Sequence, residues 1–373
     1  MRQLPRQDTA GPVRMPSLDM LRIVAALAVV GYHYLYRGAI EGGYLDVSYG
    51  AAGDAVSLGY LGVNLFFMIS GFVIVWSAAG RDWLSFASGR IIRLYPAHVV
   101  AMLLTALITL AWATAPFEVS VAQVLANLTM LAPFFGQPFM DGAYWSIVLE
   151  LIFYGGVTLA LMTAVLPRRL EAFVIVWLAV IALNSFVIDS RALGLVFLTA
   201  YGACFAFGMM VWRIWSAGWS PVRLGIALAA FAMTFVSAER QRLDILEDYG
   251  VASTMATVAV ANLLIVAVFL AAIAIGRSRT TARWATFAAI AGGVSYPLYL
   301  LHQHAGFIVI NATAPSIGKW PAAALAVILA VSVSYLIFAY AEPVGRRLLR
   351  AVLDPLTRRL RPRQPNPHLM PAE

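Results

Sequence analysis

The sequence predicts an all-α integral membrane protein with about ten transmembrane helices and both termini in the cytoplasm. Three observations lead there. Hydrophobic residues make up 61% of the 373 positions and charged residues 12%, with a mean hydropathy of +0.81, whereas a water-soluble chain of this length needs far more polar surface. The apolar residues gather into runs, each near the ~20 residues that a helix needs to cross the hydrocarbon core. Basic residues then fall in alternate gaps between the runs, twenty on one side and five on the other, with Arg22 inside a run. Cytoplasmic loops carry such an excess, so the richer side is inside.

Residues 1–16, with Arg2, Arg6, Arg14 and three prolines, read as a cytoplasmic tail. The predicted spans follow at 18–36, 58–79, 95–115, 144–166, 171–188, 193–215, 222–238, 254–275, 287–310 and 321–341. The first is not a signal peptide, because Asp19 and Arg22 interrupt it and no small-residue cleavage site follows. Arg81, Arg90 and Arg93 read as a basic turn after the second run. Residues 116–142 mix an apolar piece with prolines and glycines, the pattern of a loop carrying an interfacial or re-entrant helix. Beyond 341 an arginine- and proline-rich segment reads as a solvated tail at the membrane surface. One transmembrane domain, 17–341, is expected, with neither internal repeat nor second domain.

The +8 charge does not indicate nucleic acid, since topology accounts for where the basic residues lie. Cys204, the single cysteine, excludes an internal disulfide and a cysteine metal cluster. No HExxH, Cys/His spacing or glycine-rich nucleotide loop is present, so no metal is expected and the chemistry is acid–base.

Ionisable groups within spans are costly and should face a polar interior. Asp19 and Arg22 lie one turn apart and can pair. Arg22 and His33 are eleven apart, and eleven steps of ~100° return to within ~20°, so they share a face ~16 Å apart along the axis. The span boundaries put His33 ~22 Å up a ~30 Å core. Glu150 and His302 fall at a comparable depth in the outer half, while Arg22, Arg90 and Arg93 lie at the inner boundary. Each has a plainer reading: Glu150 as a helix brace, and Arg90 and Arg93 as topology signals. His302 is expected to point inward, His304 to face water and His98 to be structural. Gly71, beside Asn64 and Ser70, is expected to permit close helix packing.

Five motifs, in order, resemble the acyltransferase-3 family of membrane acyltransferases. They are Leu18-Asp19-Met20-Leu21-Arg22 with His33; Phe66-Phe67-Met68-Ile69-Ser70-Gly71; Arg90-Ile91-Ile92-Arg93-Leu94-Tyr95-Pro96; Trp145-Ser146 through Glu150 to Tyr154; and Ser295-Tyr296-Pro297 to His302. The resemblance implies O-acylation of a hydroxyl, most often on a cell-envelope carbohydrate or another glycosylated acceptor, from cytoplasmic acyl-CoA, with acetyl-CoA foremost. It matches His33 to the family's essential histidine, Arg22 to its paired arginine, and Arg90 and Arg93 to the arginines that engage the donor. It also implies residence in the inner or plasma membrane; some members of the family carry a fused esterase-like domain, and the stand-alone form is expected here.

Guanidinium groups bind phosphate through bidentate, charge-assisted hydrogen bonds, which fits Arg90, Arg93 and Arg22 to coenzyme A. His33 is expected to act as general base, with Glu150 or His302 orienting it or relaying the proton. Ser70, Trp145, Ser146 and Tyr296 are candidates for oxyanion stabilisation or substrate positioning, and Asp19 and Gly71 for structural support. An acyl-histidine intermediate and direct transfer both remain open. A rival class also fits the intramembrane charges: a transporter or exporter of a lipid-linked sugar, with the Arg/His/Glu set as proton relay.

Overall fold

Hydrocarbon offers no partner to a backbone N–H or C=O, so apolar runs of this kind close their hydrogen bonds within helices. The computed structural model describes residues 14–40, 43–112, 117–249, 253–276 and 284–360, and these contain helices and turns but no strand. Eight helices among the described residues are long and apolar enough to cross a membrane, which makes this a multi-pass membrane protein. Both tail ends, and Arg277, Arg279 and Arg283 of the charge count, lie outside the described residues.

Two predicted runs are interrupted in the structure. The run 193–215 divides into α8 (Arg191–Val196) and α9 (Gly202–Ala217), separated by residues that include Leu198 at a φ of 56°. The run 287–310 divides at His302 into α12 (Ala285–Leu301) and α13 (Gln303–Ile317). The pieces α9 and α12 have 16 and 17 residues, short of a full crossing at 1.5 Å per residue. The first run also differs from a plain helix: α1 (Pro16–Gly31) passes into a π-turn, Tyr32–Tyr36, that contains His33.

Arg90 and Arg93 lie on a helix rather than in a turn. The Asp82 carboxylate accepts from the Ser85 N–H at 2.9 Å, capping α4 (Trp83–Trp112) at its first turn. This places the two arginines inside α4, three residues and about one turn apart. The 116–142 region contains a short helix, α5 (Val121–Leu128), with a capping box between Ser120 and Gln123. His98 Nε2 donates to the Asn127 carbonyl at 2.8 Å, fastening this loop to α4.

At the centre α3 (Gly62–Ala78) crosses α9 at backbone distance. A Cβ at Gly71 would meet the Phe205 carbonyl oxygen, and one at Gly208 the Met68 carbonyl oxygen, as expected of small residues at a membrane helix crossing. α1 packs between α3 and α12. The apolar stretch within Ala51–Ala78 is 67% buried against 28% for that within Leu170–Ile188. The first is therefore central and the second peripheral, leaving Val176, Phe186 and Val187 outward. The last run, α14 (Lys319–Leu336), continues through a π-turn, Ile337–Ala341, into a helix, α15 (Glu342–Leu360). The sequence reading placed a solvated tail there.

Candidate functional site

A cavity of about 630 Å³ opens at the end of the bundle where α1 begins, within the usual size range of sites for small molecules and cofactors. Its walls come from α1, α3, α4, α6 (Trp145–Met162), α12 and α15. Seven arginines line it (Arg14, Arg22, Arg81, Arg90, Arg93, Arg346 and Arg350) against three carboxylates, Asp19, Glu150 and Asp354. Arg22 donates to Asp19 at 2.9 Å, and Arg346 pairs with the buried Glu342. Arg90 lies over the rings of Phe86 and Tyr154, 5.7 and 5.9 Å from their centroids. Among the described residues Arg14, Arg81, Arg90, Arg93 and Arg350 form no ion pair. The cavity therefore carries an uncompensated positive field suited to a polyanion.

Glu150 belongs to this arginine cavity. Its Oε1 accepts from Ser70 Oγ at 3.2 Å and from the Tyr154 hydroxyl, and it lines the cavity with Arg22, Arg90 and Arg93. Neither His33 nor His302 lines that space.

The two histidines meet instead beyond the cavity's inner end. His33 Nδ1 lies 2.8 Å from His302 Nε2 across a separation of 269 residues. His302 is fully buried, while His33 retains partial exposure. The hydrogen positions follow from the fixed partners. His302 Nδ1 faces the Leu298 and Tyr299 carbonyl oxygens at 3.1 and 2.9 Å, and a carbonyl oxygen only accepts, so Nδ1 carries the hydrogen. A neutral His302 then presents a lone pair at Nε2, which accepts from His33 Nδ1–H. That leaves the bare nitrogen of a neutral His33 at Nε2. Tyr34, the next residue on the π-turn, donates its hydroxyl to the His302 carbonyl at 2.7 Å and fixes the same bend.

Asp141, absent from the predicted set, causes that bend. Its fully buried carboxylate accepts from the Ala143 N–H and from the His304 N–H, each at 2.9 Å. Diverting the His304 amide from the helical ladder breaks the run at His302. His304 is engaged rather than facing water: its Nδ1 donates to the Met140 carbonyl at 3.0 Å and its Nε2 accepts from Gly142 N–H at 3.2 Å. In sequence the only trace of Asp141 is an N-cap residue type ahead of a glycine.

Tyr299 stands between cavity and histidines. It lines the cavity, its ring lies 5.8 Å from both the His302 and the Phe66 rings, and its hydroxyl is 2.8 Å from Ser146 Oγ. The Ser146 hydroxyl donates to Tyr299 and also faces the Ala143 carbonyl at 3.1 Å. Among the other positioning candidates, Ser70 and Tyr296 also line the cavity. Ser70 donates to Glu150, and Tyr296 donates to the Leu94 carbonyl at 3.4 Å. Trp145 does not reach the cavity; its ring packs 5.1 Å from that of Tyr201.

Comparison with known proteins gives the family. The acyltransferase-3 family model, described as an acyltransferase domain, matches residues 15–339. The chain is 29% identical over 326 residues to the acyltransferase MdmB of Streptomyces mycarofaciens, covering 80% of each protein. No solved structure matches it. With the family match running from the start of α1 to the end of the last apolar run, the chain belongs to the acyltransferase-3 family and is a membrane enzyme that transfers acyl groups.

Proposed function

We propose that the protein is an O-acyltransferase of the inner or plasma membrane, taking an acyl group from cytoplasmic acyl-CoA. Acetyl-CoA is the foremost donor, and the acceptor is a hydroxyl of an envelope carbohydrate or another glycosylated molecule. The observation that carries this reading is the fixed pair of histidines. A chain of single-direction hydrogen bonds leaves His33 Nε2 as a lone-pair nitrogen beyond the end of an arginine-lined cavity. The cavity opens where α1 begins, the end that the charge count puts inside.

In this mechanism the donor's phosphates sit among Arg22, Arg90 and Arg93, and its pantetheine arm runs past Tyr299 towards His33. The acceptor hydroxyl gives its proton to His33 Nε2 as its oxygen bonds to the thioester carbonyl carbon. The C–S bond then breaks, and the departing sulfur takes the proton back from His33 as coenzyme A. While His33 is protonated, its Nδ1–H remains donated to His302 Nε2, so His302 holds the ring without exchanging a proton. Glu150 in this scheme braces Ser70 and Tyr154 on the donor side.

The test is turnover by the purified protein in lipid nanodiscs, given radiolabelled acetyl-CoA and a panel of sugars and glycosides. Acceptor-dependent label transfer with release of coenzyme A is expected. A folded His33→Ala protein should lose about 10²- to 10⁴-fold in rate, the usual contribution of a general base. Full transfer by that variant would refute the assignment, and flux of a lipid-linked sugar without turnover would favour a transporter.

A further inference from the structure

The helix α15 has two faces with different demands. Glu342 is 2% exposed and paired with Arg346, and a Cβ at Gly345 would come within 2.6 Å of Pro96 on α4. This face is docked, and on it Arg346 and Arg350 line the arginine cavity. Val344, Leu348, Val352, Leu356 and Leu360, spaced every fourth residue, are between 49% and 66% exposed and form an apolar ridge along the helix. An amphipathic helix that leaves the last membrane span directly, with Arg347 and Arg359 exposed along it, suits the headgroup–acyl boundary, apolar face down.

The cavity's arginines are arranged in depth. Arg14, Arg81 and Arg350 are exposed at the mouth, while Arg22, Arg90 and Arg93 are less exposed. The family-matched arginines thus account for the inner part of the positive field and leave the mouth unassigned. We infer that Arg350, with Arg346 behind it, forms a further phosphate-binding wall for the nucleotide end of the acyl donor. Immersion of the apolar stripe in the inner leaflet holds α15 across the mouth. This inference rests on the proposed acyl-CoA donor.

The experiment is equilibrium binding of coenzyme A, and of acetyl-pantetheine as a phosphate-free probe, to the full chain in zwitterionic nanodiscs. Arg350→Gln is the informative variant, because Arg350 is exposed and has no ion-pair partner among the described residues, whereas changing Arg346 would strand buried Glu342. Arg350→Gln should weaken coenzyme A about tenfold, the low end for a charge-assisted hydrogen bond, and leave acetyl-pantetheine unchanged. A spin label at Val352→Cys, selective because the one native cysteine, Cys204, is buried, should be relaxed more by oxygen than by an aqueous nickel reagent if the apolar stripe is immersed.

If wild type fails to bind coenzyme A, the donor reading falls and this inference with it. If Arg93→Gln weakens coenzyme A while Arg350→Gln does not, only the added wall is overturned. Equal weakening of both probes by Arg350→Gln, or capture of anionic lipid by Arg350 instead of coenzyme A, would also overturn it. So would a label at 352 open to water.

Discussion

Replacing His302 tests the histidine pair directly. His302→Ala deletes the acceptor that holds His33 Nδ1–H at 2.8 Å, together with the two carbonyl contacts that set its own hydrogen. The orphaned donor costs about 1–3 kcal/mol. The same energy had favoured the tautomer with Nε2 bare and had supported the imidazolium formed during transfer. Converted at ~1.4 kcal/mol per tenfold, kcat should fall by about 10- to 100-fold. The KM for acetyl-CoA should change little, because His302 does not line the arginine cavity. His302→Gln, whose amide oxygen can accept the same hydrogen, should recover part of the loss. The assay is thiol release from acetyl-CoA at saturating acceptor, with thermal unfolding measured in parallel. A variant with normal kcat and a raised donor KM would refute the orienting role, as it would make His302 a donor-binding residue.

Two further outcomes follow from the packing. Gly71→Ala drives a Cβ into the Phe205 carbonyl, and overpacking of this kind should cost about 1–3 kcal/mol and lower the Tm. Gly225→Ala has nothing within 4 Å of the new Cβ and should be neutral or stabilising by up to about 1 kcal/mol in its helix; an equal Tm loss in both would refute the crossing argument. Tyr299→Ala removes the ring between cavity and histidines and should raise thiol release from acetyl-CoA without acceptor, measured with a chromogenic thiol reagent. An unchanged background rate would show that Tyr299 does not separate the two spaces.

The all-helical membrane fold was legible from the sequence because hydrocarbon imposes one rule on every run: long, apolar and internally hydrogen-bonded. The pairing of Asp19 with Arg22 was equally legible, since residues three apart on a helix are neighbours whatever the tertiary context. Gly71 was read as a packing residue, and its backbone contact with α9 bears that out. The divided runs were not legible, because hydropathy does not register a backbone N–H diverted to a distant carboxylate. Asp141 takes the His304 N–H from 163 positions away and so breaks the run at His302. Nor was α15 distinguishable from a tail, since its seat against Pro96 on α4 is a contact between distant segments that no local spacing encodes.

The sequence by itself determined which residues lie in apolar runs, which charges interrupt them, and the eleven-residue spacing of Arg22 and His33 on the first helix. Local spacing and composition carry that information. Only the tertiary structure decided that Glu150 keeps company with the arginines, that His302 is the partner of His33, and that Tyr299 divides the two spaces. Those juxtapositions join segments more than fifty residues apart. They depend on the angle at which α12 bends and the depth to which α6 sits, and no one-dimensional period encodes either.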